Sequence, residues 1–308
     1  MSSYNSCASL QQVSLMEFKF ESTAEAVTEG LDLSGRTYLI TGSNSGLGLE
    51  STRVLAKRGA HIIAAARTLG KAELTLKSLK ITGTAIACEL ADLSSVRQAV
   101  SAVKSSGKLL DGIIANAGIM ALPTLQQKDG LELQFYTNHI GHFLLVTELI
   151  DQLTDNGRVV MLSSGAHFYA RESGLELDNT SGENNYDDWR MYGRSKLANI
   201  QFANALNRRF VGTNRRANSV HPGVIVTNLA RHIANKEEMY EQIQKRVRLK
   251  NVEQGAATQC LVATHPALEG VGGKYFADCQ IKSTAPIAQN ETESEALWAF
   301  SENFVATH

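Results

Sequence analysis

Tyr192 and Lys196 are a pair whose residue types and spacing suggest chemistry in this 308-residue chain. They precede the run 197–206, in which Ala and Leu dominate and neither Pro nor Gly occurs, so a helix is predicted there. Residues four apart are neighbours on a helix, so the Lys196 ammonium is expected to lower the pKa of Tyr192. Tyr192 would then be a general acid and base, which free tyrosine, with a pKa of about 10, is not. The same spacing also arises by chance in solvated surface pairs, so the catalytic interpretation depends on the other motifs.

A glycine-rich stretch near the start of the chain lies between a predicted strand and a predicted helix. The β-rich run 37–40 leads into 41–48, Thr-Gly-Ser-Asn-Ser-Gly-Leu-Gly, and a helical pattern follows at 49–56. Glycines at such a junction let the backbone approach a pyrophosphate at a helix N-terminus, where free N–H groups and the dipole favour an anion. We interpret the stretch as a nucleotide-binding loop; an ordinary tight turn is the alternative.

The end of the second predicted strand, 61–66, indicates which nucleotide binds. An NAD site places a carboxylate there to hold the ribose 2′-hydroxyl, whereas this chain has Arg67. A guanidinium suits a 2′-phosphate, and Ser43 and Asn44 in the facing glycine loop are expected to add hydrogen bonds. NADP(H) is the predicted cofactor, and a solvated arginine is the alternative. Asp92, after the third strand, is interpreted as a helix N-cap, as a partner of the adenine amino group, or as both.

Strands and helices alternate along the sequence, which predicts an α/β fold. A single domain is expected, with a Rossmann-type, doubly wound parallel sheet and helices on both faces. Ligands of such sheets bind beyond the carboxyl ends of the strands, where all of the motifs above are expected to lie. A long helix is predicted from about Leu131, and the polar stretch 165–191 is predicted to be a loop.

The domain boundaries follow from the same patterns. Residues 1–33 are predicted to be a leader that is disordered to about residue 20 and then forms a short helix, with Ser22 as its N-cap and Glu25 completing a capping box. Residues 34–308 are assigned to a dinucleotide-binding catalytic domain. Within it, a charged segment with an apolar stripe, at about 228–258, is predicted to be a substrate lid.

Composition excludes several classes of function. The net charge is −1 and no basic block occurs, so nucleic acid is not an expected partner. No apolar run approaches the roughly 20 residues of a transmembrane helix, and no secretory signal is visible, so a cytoplasmic location is expected. The four cysteines have no zinc-binding spacing. His139 and His142 share a predicted helix face, but no third ligand is indicated, so no metal site is predicted.

These motifs together resemble the short-chain dehydrogenase/reductase family over nearly all of residues 34–280. Within it, 138–143 and 195–199 are similar to the retinol-dehydrogenase-like branch, as is the long separation of Ser164 from Tyr192. Ala115 stands where many members have a second asparagine. The residues that carry the resemblance are Thr41, Gly42, Gly46, Leu47, Gly48, Asp92, Leu93, Asn116, Ala117, Gly118, Asn138, Ser164, Tyr192, Lys196, Pro222, Gly223 and Thr227.

The resemblance implies an NADP(H)-dependent oxidoreductase that interconverts an alcohol and a carbonyl compound. Tyr192 would exchange the proton with the substrate oxygen, and Ser164 would orient that oxygen by a hydrogen bond. Lys196 would lower the Tyr192 pKa and bind the nicotinamide ribose, while Asn138 would hold a water that returns the proton. Ser163 is the rival for the serine role, and the family pattern favours Ser164.

The resemblance also implies which residues contact the cofactor, and it allows a homo-oligomer. Two alternatives stay open: a nucleotide-sensing regulator without turnover, and an NAD-specific dehydrogenase of the same chemistry. The substrate itself is not indicated. The predicted cofactor-binding residues are Gly42, Ser43, Asn44, Ser45, Gly46, Leu47, Gly48, Arg67, Asp92, Leu93, Asn116, Ala117, Gly118, Tyr192, Lys196, Pro222, Gly223, Val226 and Thr227.

Overall fold

The predicted parallel sheet is present in the computed structural model of the chain, which describes residues 17–226, 229, 236–245 and 247–308. Its strands are β1 Thr37–Thr41, β2 His61–Ala66, β3 Gly83–Ala87, β4 Leu110–Ala115, β7 Leu153–Leu162, β8 Arg216–His221, β9 Tyr275–Ala277 and β10 Gln280–Ile281, with a separate hairpin of β5 Gln127–Lys128 and β6 Leu131–Glu132. The order across the sheet is β10-β9-β8-β7-β4-β1-β2-β3. Neighbouring strands are parallel, apart from the antiparallel pair β9 and β10.

Helices cover both faces of the sheet, as predicted. They are α1 Ala24–Val27, α2 Gly46–Lys57, α3 Leu69–Leu79, α4 Leu93–Ser105, α5 Leu133–Phe135, α6 Gly141–Glu148, α7 Asp188–Arg209, α8 Lys236–Gln244, α9 Val252–Thr264 and α10 Glu291–Thr307. Helices α1, α2 and α9 pack on one face, and α4, α6, α7 and α10 pack on the other. Two covered faces explain why the central strand β4 is apolar, with Ile113 and Ile114 fully buried.

The strand order reverses between β1 and β4, because the chain builds β2 and β3 on one side of β1 and then crosses to the other. The connections leaving the carboxyl ends of these two strands diverge, which opens a crevice at the switch point. The loop 42–45 leaves β1 at this crevice and leads directly into α2. The fold therefore presents the glycine-rich loop at the position where sheets of this class bind ligands.

The helix predicted from about Leu131 begins later than expected and is interrupted. Residues 127–132 form the hairpin β5–β6, whose turn is Asp129-Gly130 with φ of 49° and 80°. An Asp-Gly pair with two positive φ angles is a favoured two-residue hairpin turn, which explains the difference. A π-helical turn, Tyr136–Ile140, then separates α5 from α6.

The start of the described chain is attached to the domain. Helix α1 is present, but its N-cap is Thr23 rather than the predicted Ser22, whose hydroxyl accepts from Lys19 N–H instead. Val27 and Leu33 belong to the core beneath α2 and α9. The disorder predicted up to about residue 20 falls mostly on residues 1–16, which lie outside the described residues.

The segment predicted as a polar loop, 165–191, is tied to the start of α7. It contains two 3-10 turns, Gly165–Ala170 and Leu177–Asn179. The buried Arg194 guanidinium donates to the carbonyl oxygens of Leu175, Glu176 and Asn179. The N-terminal part of α7 therefore carries both the catalytic candidates and an anchor for the segment beside them.

The predicted lid segment, 228–258, has two parts of different character. In the described portion up to residue 250, α8 is amphipathic. From Val252 onward the chain enters α9, where Gly255, Ala256 and Ala257 are buried against the core. Residues 252–258 therefore belong to helix α9, and from Gly255 onward they are buried, while the lid itself stays a prediction. Within the described part of the chain, no helix is long and apolar enough to cross a membrane.

Candidate active site

The glycine loop between β1 and α2 makes a backbone cradle. Gly42 and Gly46 have φ of 65° and 52°, a conformation that side chains disfavour. A Cβ on Gly48 would lie 2.3 Å from Gly42 O and 2.6 Å from the Asn116 side-chain nitrogen. That amide donates to Thr41 O at 2.8 Å, which ties the cradle to the end of β4. The residues here fit a dinucleotide, because glycine is required where the backbone must pass this closely.

Two cavities meet at this cradle. One, of about 410 Å³, lies at the glycine loop and the end of β2, and the other, of about 1200 Å³, lies over the first turns of α7. They share the lining residues Leu47, Asn116, Gly118, Leu162 and Leu229. An elongated ligand can therefore extend from the glycine loop into the larger cavity.

The smaller cavity carries a charge pattern that the sequence did not reveal. Arg67 lines it as predicted, but its Nε lies 3.1 Å from the carboxylate of Glu89, which follows β3. Lys71, in the first turn of α3, lines the same cavity. The Ser43 hydroxyl is buried and donates to Ala65 O, so the phosphate contact predicted for it is not supported, whereas Asn44 does line the cavity.

Asp92 and Leu93 lie beside this cavity rather than in it. Asp92 is the N-cap of α4, accepting from Ser94 N–H at 2.9 Å and from Ser95 N–H at 3.4 Å. The hydrogen bond from the Ser94 hydroxyl holds the pKa of Asp92 below its ordinary value. Leu93 is buried in the core, and Leu90 lines the cavity in its place. The N-cap interpretation is confirmed, and the adenine contact stays a prediction.

Ser163 and Ser164 have different environments. Ser163 is 2% exposed, and its hydroxyl donates to the carbonyl of Lys196 at 2.7 Å, so it is committed to the protein. Ser164 lines the large cavity together with Tyr192, and its hydroxyl accepts from Ala166 N–H at 3.1 Å. The structure thus favours Ser164 over Ser163 for contact with a substrate.

Tyr192 and Lys196 lie side by side on α7, with Lys196 Nζ 5.5 Å from the centre of the tyrosine ring. Both line the large cavity and both are almost fully buried. Burial raises the pKa of Tyr192, against the lowering effect of the nearby Ser164 hydroxyl. Burial lowers the pKa of Lys196 to about 7. The expected electrostatics are therefore corrected: desolvation outweighs the predicted effect of the ammonium on the phenol.

Asn138 lies in the π-helical turn behind the cavities. Its side-chain oxygen accepts from Ile119 N–H, and its amide nitrogen donates to Ile119 O and to the Ser195 hydroxyl, at 2.8–2.9 Å. Both ends of the amide are engaged by protein groups, and the predicted role of Asn138 as a water holder stays a prediction. Asn138 holds the segment that follows Gly118. This segment starts close to Lys196, because a Cβ added to Gly118 would lie 3.5 Å from Lys196 Nζ.

The turn after β8 contains four of the predicted cofactor-binding residues, and two of them line a cavity. Pro222 and Gly223 line the large cavity. Val226 is 58% exposed and does not line either cavity, whereas Val224 and Ile225 line the large one. Thr227 lies outside the described residues.

The Ser164 turn is held by two histidines that the motif analysis missed. His221 Nδ1 accepts from Gly165 N–H at 3.0 Å, and burial lowers the pKa of His221 to about 4. A neutral ring that accepts at Nδ1 carries its proton on Nε2. On the other side, His167 Nε2 accepts from Ala285 N–H, which leaves Nδ1–H to donate to Ser164 O at 2.7 Å. Such contacts join distant segments, so spacing along the sequence does not indicate them.

His221→Phe is expected to lower kcat/KM by about tenfold, the effect of leaving one hydrogen-bonding group without its partner. The Gly165 N–H would lose its acceptor, and the turn that aims Ser164 would loosen. His221→Asn is the matched control, because its side-chain oxygen can replace Nδ1 as the acceptor, and it should retain most activity. Steady-state kinetics on the two variants test this, and equal activity in the Phe variant and the parent would contradict it.

The rest of the large cavity is mainly apolar and aromatic. Trp189 packs edge-on against Tyr192 and Tyr169, with ring centroids 6.3 Å and 6.1 Å apart. The apolar stripe predicted in the lid, Met239, Tyr240, Ile243 and Val247, forms part of the wall. Among the residues that the structure describes, no group of three His, Cys, Asp or Glu side chains is placed to hold a metal. His139 bonds to Ser301 within the core.

Comparison with known proteins gives matches along most of the chain. Residues 36–175 match the family described as short chain dehydrogenase. Short-chain dehydrogenase TIC 32 B, chloroplastic, of Brassica napus is 42% identical over 91% of this chain and 92% of its own length. Retinol dehydrogenase 14 of Homo sapiens is 36% identical over 89% and 87%. An uncharacterized protein from Mycobacterium Paratuberculosis has a crystal structure with a TM-score of 0.74 and 32% identity, covering 91% of this chain and 97% of that one.

Proposed function

Because the chain belongs to the short-chain dehydrogenase family, we propose that it is an NADP(H)-dependent oxidoreductase interconverting an alcohol and a carbonyl compound. Tyr192 is the general acid and base. The observation that carries the proposal is that Ser164, Tyr192 and the buried Lys196 line the same wall of the large cavity. This arrangement presents two hydroxyl groups to the cavity, which suits a substrate oxygen that gains or loses a proton.

The chain's own residues divide the work along the two cavities. The glycine cradle and Asn116 to Gly118 would hold the dinucleotide, with Lys196 at its nicotinamide ribose. The bound cofactor supplies or accepts the hydride. Ser164 orients the substrate oxygen, and Tyr192 delivers a proton to it or takes one from it. Asn138 acts in this proposal as a positioning residue for the Gly118–Ile119 segment.

The apolar wall of the large cavity favours a substrate with a bulky apolar part. Trp189, Tyr169 and Met120 line the cavity near the reacting group, and the α8 stripe lines its other side. Retinol dehydrogenase 14 is a relative, so retinaldehyde belongs in the test panel beside aromatic, aliphatic and sugar carbonyls. Oxidation of NADPH with any apolar carbonyl, abolished by Tyr192→Phe, would support the proposal. NADPH binding without turnover across the panel would favour the nucleotide-sensing alternative.

We propose that the lid closes over a bound substrate. Its described part consists of residues 229, 236–245 and 247–250. We expect trypsin cleavage after Lys245 or Arg248 to slow by roughly tenfold at saturating NADPH and substrate, because ligands suppress the open forms that proteases cut. Mass spectrometry of the fragments measures this. Cleavage after the exposed Lys108, on the opposite edge of the sheet, is the internal control. Equal cleavage in the lid with and without ligands would count against closure.

Cellular location is a separate part of the proposal. A cytoplasmic location follows only from the lack of a visible targeting signal, whereas the Brassica napus relative is named as chloroplastic. Imaging of the full chain fused at its C-terminus to a fluorescent protein would decide between these compartments.

A further inference from the structure

Lys250 is a buried cation behind the turn that follows β8. Its side chain is 0% exposed, and its Nζ lies 2.8 Å from an Asp278 carboxylate oxygen. Lysine is almost never fully buried unless its charge is paired. The reaction proposed above does not use Lys250, so the burial of this charge requires another explanation.

Lys250 is joined to the Pro222–Ile225 turn by both backbone and side chain. Its N–H donates to Val224 O at 2.9 Å, and it pairs with Ile225 in an isolated parallel bridge. Gly223 has φ of 100°, and a Cβ there would lie 2.8 Å from Lys250 Cδ. The aliphatic stem of the lysine therefore packs directly on the glycine of a turn that lines the large cavity.

Asp278 forms its ion pair with the ammonium from a tight turn. It lies in the two-residue connection between β9 and β10, where Asp278 and Cys279 have φ of 53° and 60°. The Cys279 N–H donates to the Thr258 hydroxyl at 3.2 Å, which ties this connection to α9. A carboxylate on such a fixed backbone can determine where the lysine head lies.

The N-terminal segment 18–21 covers Lys250 from outside. The centre of the Phe20 ring is 4.7 Å from Lys250 Nζ, within the range of a cation–π contact. Glu21 pairs with Arg248 at 2.7 Å, and Gln280 donates to the carbonyl of Phe18 at 2.7 Å. Part of the segment assigned from the sequence to a leader is thus in contact with the end of the lid and with β10.

We propose that Lys250 is a positioning residue, and that the Lys250–Asp278 pair under Phe20 fixes the Pro222–Ile225 turn in the shape that binds the cofactor. This inference rests on the proposed function, because it assumes that the turn contacts the nicotinamide half of NADP(H). It gives residues 18–21 a role in cofactor affinity. Tyr192, Ser164 and Lys196 would remain in place if the turn loosened.

Lys250→Met tests this inference, because it keeps the stem and removes the charge. We expect the NADPH Kd, measured by fluorescence titration without substrate, to rise by roughly tenfold or more, since small displacements of positioning groups are costly. The kcat at saturating NADPH should stay within about threefold of the parent value, because the reacting groups are untouched. Asp278→Asn should weaken binding more than Lys250→Met, because it leaves the lysine charge buried without its partner.

The double variant Lys250→Met/Asp278→Asn should bind NADPH about as well as Lys250→Met alone, which would show that the two residues act as a pair. Phe20→Ala should raise the Kd less than Lys250→Met does. Lys282→Met, at an exposed lysine after β10, is the matched control and should leave the Kd unchanged. Thermal unfolding is measured for every variant to establish that it is folded at the assay temperature. If Asp278→Asn is not folded, the NADPH Kd of Lys250→Met alone tests the inference.

An unchanged Kd in Lys250→Met would overturn the inference and leave the proposed function intact. A fall in kcat at constant Kd would also overturn it, because the pair would then act on the reacting groups. If the parent protein does not bind NADPH at all, the proposed cofactor and this inference both fail.

Discussion

Replacement of Tyr192 by Phe should lower kcat by roughly 10²- to 10⁴-fold, the usual contribution of a positioned general acid or base. The variant keeps the ring that packs against Trp189 and removes only the hydroxyl, at the cavity that Ser164 also lines. The proposed cofactor cradle consists of the glycine loop and Asn116 to Gly118, so the NADPH Kd should change little. The effect should therefore fall on the chemical step and not on binding.

Single-turnover reduction of a carbonyl at saturating NADPH measures this chemical step directly. Lys196→Met is the informative comparison, because Lys196 is proposed to contact the nicotinamide ribose in addition to acting on Tyr192. It should raise the NADPH Kd in addition to slowing turnover, whereas Tyr192→Phe should only slow turnover. Near-parent turnover in the Phe variant would show that another group transfers the proton.

The pKa values of Tyr192 and Lys196 depend on burial, which the sequence did not predict. The four-residue spacing on α7 was predicted correctly, and so was the proximity of the two side chains. Their burial was not predictable from spacing, because it depends on the 165–191 segment and the cavity walls closing around α7. Burial disfavours the charged form of each group, so it raises the pKa of Tyr192 and lowers that of Lys196.

The sequence predicted those features of the fold that depend on residues close together in the chain. The placement of the glycine loop between a strand and a helix, the apolar central strands and the N-cap at Asp92 depend on neighbouring residues, and these three predictions are confirmed. Contacts across the sheet are different, because they depend on strand register. The pairing of Ala66 with Ala87 brings the residues after β2 and β3 together, which places Glu89 beside Arg67. Without that register, Glu89 gives no signal in the sequence.

The Arg67–Glu89 pair changes the expected basis of cofactor choice. Both side chains are partly exposed, 58% and 34%, and exposed ion pairs contribute little to stability. A 2′-phosphate can therefore take the place of Glu89 as the partner of Arg67 at small cost. Lys71 lines the same cavity, so the three side chains together carry one net positive charge, from two cations and one carboxylate. This balance favours the additional phosphate of NADP(H) over the 2′-hydroxyl of NAD(H).

We predict that kcat/KM is at least about tenfold higher with NADPH than with NADH, because a charge-assisted contact contributes roughly 1.5–3 kcal/mol. Arg67→Ala should reduce this preference by weakening NADPH, with NADH little affected. Glu89→Gln should move the preference in the opposite direction, since it removes a repelling carboxylate and releases Arg67. Lys71→Met should reduce the preference less than Arg67→Ala does if Arg67 is the principal contact.

Side-by-side kinetics with the two cofactors on these four proteins decide the question. Glu73→Gln, on α3 and exposed, is the matched control for Glu89→Gln and should leave selectivity unchanged. A parent enzyme that favours NADH would instead support the NAD-specific alternative, with Glu89 as the carboxylate that holds the ribose 2′-hydroxyl. In that case Glu89→Gln should weaken NADH, the reverse of its expected effect in an NADP(H) enzyme. The direction of the change in Glu89→Gln therefore distinguishes the two cofactor assignments.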